Sequence, residues 1–267
     1  MNPTERRLLL VQVGANSIAI AAWIVLIARS VLQPEACCSA PLPGGRDLSQ
    51  AYFVQISATL IDWALMLVAM MAPMLSAPIF HVTQRSLARR RVRSATLFVS
   101  GYFFTWMIAG GFLSYFVYGV KTTSGAWFSS ALICLLTFVW QCTPAKRMCL
   151  NRCHAHSEIA AFGLRADLDS MRFGLNHAIW CIGTCWAIMI LPEFFGSSHL
   201  LVMAVMTGFL AAERLEHAEP PRWGLILPKR TMRYFAEYHR KVIKRTGTSS
   251  APQLFDNVGE RGQMEPR

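Results

Sequence analysis

The sequence predicts an all-α fold: a polytopic membrane helical bundle of about six transmembrane helices, followed by a cytoplasmic amphipathic C-terminal helix. Three observations carry that expectation. The 267 residues are 54% hydrophobic and 15% charged, against about 25% charged in a soluble domain, and mean hydropathy is +0.35. Several apolar runs approach or exceed the ~20 residues that cross a bilayer. The basic residues alternate along the chain. Of 26 Lys and Arg, 23 fall in 1–7, 81–94, 144–172 and 213–267, and the intervening connections hold only Arg29, Arg46 and Lys121. This is the positive-inside pattern, and it places both termini in the cytoplasm. The net charge of +11 is thereby explained by topology, and no nucleic-acid partner is expected.

Taken in order, the helices are expected at about 8–28, 52–80, 95–120, 127–143, 173–191 and 194–212. The first run, Leu8 to Ala28, has 21 residues, longer than the ~7–15 of a signal-peptide core, and reads as a retained helix. The outer loop after it carries Cys37-Cys38 and a Pro/Gly stretch without helical period. In the second helix Pro73 and Pro78 are expected to kink the chain or end it early. Met66, Met70 and Met74 recur every fourth residue and make a thioether stripe on one face. Asp62 in the same helix is an intramembrane ionisable group, either a proton or cation relay or a hydrogen-bonded packing element. The third helix has Gly101, Gly110 and Gly111 for close approach to a neighbour, and no chemistry is assigned to it. Cys134 in the fourth reads as a small buried hydrophobe. The six helices form a transmembrane domain over 1–215. Residues 216–267 form a basic cytoplasmic tail, in which 229–245 is an amphipathic helix for anionic lipid at the interface. Glu213, at the inner end of the sixth helix, is expected to pair with a basic residue.

The chemistry concentrates between Cys142 and Cys185, which holds five of the eight cysteines and three of the seven histidines. Cys149 and Cys153 are four apart, with His154 and His156 just beyond. His177, Cys181 and Cys185 follow at i, i+4 and i+8, one stripe of a helix. Thiolate, thioether and imidazole together favour a soft transition metal, Cu(I) or else Zn(II). The candidate metal ligands are Cys142, Cys149, Cys153, His154, His177, Cys181 and Cys185, with Met70 from the stripe. Cys149 and Cys153 are expected to fold back on the start of the fifth helix near His177 and Cys181, all at the cytoplasmic end.

In order along the chain, Trp63-Ala64-Leu65-Met66, Ala69-Met70-Met71-Ala72-Pro73, Thr143-Pro144-x-Lys146-x-x-Cys149-x-x-x-Cys153, Cys181-x-Gly183-x-Cys185-Trp186-Ala187-x-Met189 and Glu213-Arg214 form a set. Over about 55–215 this set resembles a bacterial family of predicted metal-binding integral membrane proteins of unknown function. The resemblance implies a multi-pass protein of the bacterial inner membrane and a metal site in these motifs. The family pattern in the fifth helix is C-x-G-C-C-W, and here Thr184 replaces the first cysteine of the doublet.

No phosphate-binding glycine loop, G-x-S-x-G or H-E-x-x-H occurs, so neither an enzyme nor an ATP-driven pump is expected from this chain alone. Thiol–disulfide chemistry fits poorly, because the pairs are C-x3-C and lie on the predicted reducing side. Two functions remain. One is a non-enzymatic handler or transporter of a soft metal. The other is a structural or assembly subunit, partnered by another membrane protein, that binds no metal.

Overall fold

Pro73 sets the first break in the helical architecture. In the computed structural model, the described residues are 2–32, 48–123, 125–155, 158–160, 162–216 and 218–225, with 230, 232, 233, 237 and 240 of the tail. Cys37, Cys38 and His156 lie outside them. Among the described residues there are eight α-helices and no strand: α1 Pro3–Leu32, α2 Leu48–Met71, α3 Ser76–Arg85, α4 Arg91–Thr123, α5 Ala126–Cys142, α6 Pro144–Cys153, α7 Gly163–Ile190 and α8 His199–Arg214. Five helical segments are long and apolar enough to cross a membrane: Thr4–Leu32, Ala58–Arg85, Arg91–Thr123, Gly163–Phe194 and Gly196–Arg214. The bent pair of α5 and α6 makes a sixth if it is counted as one span. The all-helical expectation holds.

Two prolines explain the breaks. Pro73 lacks the N–H that would continue α2, so the chain tightens into a 3-10 turn, Ala72–Leu75, before α3 begins. Pro78 sits in the first turn of α3, where no N–H is needed. Thr143 is extended, as a residue before proline prefers, and Pro144 occupies the first turn of α6. The Thr143 hydroxyl accepts the Lys146 N–H at 3.3 Å, satisfying one orphan donor of the new helix. α6 therefore leaves α5 at 66°. The connection expected over 144–172 is mostly helical instead, since α7 starts at Gly163 rather than near 173.

α7 is the central helix. Its most apolar window is 61% buried, against 17% for those of α1 and α8. Its closest partner is α4, and glycine makes the approach possible on both sides. A Cβ on Gly101 would stand 2.8 Å from the Met171 carbonyl oxygen, and one on Gly174 would overlap the Phe98 carbonyl. Gly110 gives room to the Trp63 indole, whereas Gly111 faces open space and has no role in packing. α5 is tied to α7 by Trp140 Nε1 donating to the Gly183 carbonyl at 3.1 Å and Thr137 Oγ1 donating to that of Ala187 at 3.1 Å. Cys134 on α5 is exposed, which corrects the buried position expected for it.

α6 is clamped by charge. Lys146, fully buried, donates to Glu213 of α8 at 2.5 Å and to Gln141, so the basic partner expected for Glu213 is Lys146. Arg147 pairs with Glu219 at 2.7 Å and donates to the Gly224 carbonyl at 2.9 Å, and Asn151 donates to the Glu219 carbonyl at 2.8 Å. The segment after α8 is thus strapped across α6. The chain divides into Met1–Leu227 and Pro228–Arg267. In the second unit Arg230, Met232, Arg233, Glu237 and Arg240 are helical and exposed, and the rest of the expected interfacial helix lies outside the described residues.

Candidate metal centre

Cysteines four apart on a helix share a face, and the centre of this molecule is built from two such pairs. Cys181 and Cys185 are buried on α7, one turn apart on the same face. α6 brings the other pair to the same level. Cys149 packs on Gly183, where an added Cβ would come within 2.6 Å of its sulfur. Cys153 Sγ lies 3.6 Å from Thr184 Oγ1. The Thr184 hydroxyl already donates to the Trp180 carbonyl at 2.7 Å, so the Cys153 thiol is the donor of that contact.

Three further groups close around Cys181. Arg214 Nη2 donates to its sulfur at 3.0 Å, and Tyr102 Oη stands 3.3 Å away on the α4 side. Trp106 flanks the same thiol. The Arg214 charge also lies close to Cys153 and Cys185. His154, the residue after α6, has Nε2 against the Arg214 carbonyl oxygen at 3.2 Å. Donation from Nε2–H to that carbonyl fixes the tautomer with a bare Nδ1. Nδ1 is buried and has no hydrogen-bond partner among the described residues. A backbone carbonyl on one ring nitrogen and a free lone pair on the other is the usual state of a ligating imidazole.

The residues expected to form one site are not all brought together. α6 does fold back on α7, but at Gly183–Thr184 rather than at His177, which lies about 9 Å further down the helix at 1.5 Å per residue. The His177 ring packs among Phe98, Tyr102 and Phe173 with centroids 5.9, 6.0 and 5.9 Å apart. Cys142 sits half-buried at the α5–α6 corner, its carbonyl accepting the Gly224 N–H at 3.0 Å. Met66 and Met70 are buried on α2 in the same apolar core as Cys181 and Cys185. Asp62 is paired with Arg29 of α1 at 2.7 Å and is half exposed, away from this cluster. Among the described residues no three Cys, His, Asp or Glu side chains gather as one metal-binding group. The donors stand as pairs instead. Sequence reasoning assigned no chemistry to Tyr102, and it named Gly183 and Arg214 within motifs without giving either a role of its own. The signal for Arg214 was its place directly after an acid at the inner end of an apolar run.

Soft donors at a helix–helix junction are the chemistry that a d-block metal would use. The copper chaperone family PpoB2 matches residues 60–225, and the chain belongs to it. The matched region contains every residue of the thiol cluster and the strap over α6. No curated protein and no solved structure matches the chain.

Proposed function

We propose that this protein is a membrane-embedded copper chaperone that holds Cu(I) on buried thiols at the cytoplasmic end of its helices. The observation that carries the reading is the convergence of two cysteine pairs, Cys149/Cys153 and Cys181/Cys185, at Gly183–Thr184 of the central helix. Cu(I) is a closed-shell soft ion that is satisfied by two thiolates, and sulfur donors select it over harder ions. Cys181 and Cys185 supply such a pair, while Cys153 and His154 Nδ1 lie on the element packed against it. Copper here is cargo. It enters by displacing thiol protons, two per pair of sulfurs bound, and leaves when the thiols of an acceptor replace those of the chain. Met66 and Met70 extend the soft lining into α2. The setting proposed is a bacterial inner membrane with both termini inside, supported by the alternation of basic segments and by the length and apolarity of the helices.

The test is Cu(I) titration of the full chain in detergent against a chromophoric Cu(I) chelator, wild type beside Cys181→Ser/Cys185→Ser. The expected result is one Cu(I) held on sulfur by X-ray absorption, lost in the double variant while the helical content is kept. A wild type that takes up no copper would establish the assembly-subunit reading instead.

A further inference from the structure

We propose that Arg214 is the counter-charge of the copper site and makes it selective for a monovalent ion. The inference rests on the copper reading above. Arginine stays protonated in any protein environment, and Arg214 is half-buried, so its guanidinium calls for a nearby anion. Among the described residues no carboxylate forms an ion pair with Arg214. The adjacent Glu213 is taken by Lys146 at 2.5 Å. Its guanidinium is directed at sulfur, with Nη2 on Cys181 Sγ at 3.0 Å and the thiols of Cys153 and Cys185 nearby. The far side of Cys181 is closed by the neutral phenol of Tyr102 at 3.3 Å.

This arrangement discriminates by charge. When two thiols bind Cu(I), two S–H bonds break, two S–Cu bonds form and two protons leave to water, with no change of oxidation state. The bis-thiolate complex carries a single negative charge, which the guanidinium neutralises. Zn(II) on the same two sulfurs forms a neutral complex and leaves the arginine uncompensated. In a low-dielectric interior that difference weighs heavily against the divalent ion. Arg214 touches a ligand sulfur and not the metal, so it is a positioning residue whose contribution is electrostatic.

The experiment compares Cu(I) and Zn(II) affinities of the detergent-solubilised full chain by chelator competition, in wild type, Arg214→Met and Arg214→Lys. Loss of the charge in Arg214→Met is expected to weaken Cu(I) binding by roughly tenfold or more while Zn(II) binding does not weaken, so the Cu(I) preference narrows. Arg214→Lys should restore most of that preference. Thermal melting of each variant separates misfolding from a changed site. A parallel loss of both metals in a folded Arg214→Met, or an unchanged ratio, overturns the proposal. If Arg214→Met does not fold, a folded Arg214→Lys that has lost the Cu(I) preference overturns it equally. A wild type that binds neither metal removes the copper reading itself, which is a different failure.

Discussion

At the scale of single residues, position 184 is the most informative. Its hydroxyl faces Cys153 at 3.6 Å and sits between the two cysteines of α7. Thr184→Cys therefore puts a further sulfur against the α6 pair. Under the copper reading it is expected to raise Cu(I) affinity on the order of tenfold, and X-ray absorption should show a higher sulfur coordination number. No gain in either measurement would mean that α6 does not share in binding. Much of this site was legible in the residues alone, because a four-residue spacing of cysteines fixes which face they share whatever the helix packs on. The height at which α6 meets α7 was not. It depends on Gly183, on the Trp140 indole and on the Lys146–Glu213 pair, contacts between residues far apart in the chain. Arg214 was hidden for the same reason, since nothing local to it says that its partner is a sulfur.

At the scale of elements, the α4–α7 contact and the α6 clamp each make a prediction. Gly174→Ala sets a methyl against the Phe98 carbonyl, a backbone atom that cannot rotate away. Overpacking of this kind is expected to cost about 1–3 kcal/mol, read as a fall in the denaturation midpoint, whereas Gly111→Ala should be neutral. The Lys146–Glu213 pair is buried on both sides, at 0% and 1% exposure. Removing one partner strands a buried charge, so Lys146→Met alone should destabilise by about 3–5 kcal/mol. Lys146→Met/Glu213→Leu should recover much of that, measured as unfolding of the full chain in detergent. A double variant as unstable as the single would show that the pair does more than balance charge. The apolar helices were readable from hydropathy, and so was the break at Pro73, whereas the polar helix α6 was not. The early start of α7 was not, because 163–172 is polar and joins the helix through its packing, including Asp167 with Arg90 and Arg93 at 2.7 Å each.

At the scale of the whole molecule, outward faces carry large apolar side chains, among them Leu10, Ile20, Phe112 and Trp127. In the proposed membrane setting these faces meet lipid, and the basic segments set the proposed direction. Membrane-impermeant thiol reagents on intact cells are expected to label Cys37 or Cys38 and to spare Cys149 and Cys153. Labelling of Cys149 from outside would reverse the proposed topology.

The clamp on α6 also has a consequence for biosynthesis. Lys146 and its carboxylate are 67 residues apart, and Cys181 and its guanidinium are 33 apart. At roughly 5–20 residues per second, a nascent chain carries all four thiols for seconds before Glu213 and Arg214 leave the ribosome. During that interval α6 has no lock and the sulfurs have no compensating charge. Under the copper reading, binding of the cargo is thereby deferred to the finished protein.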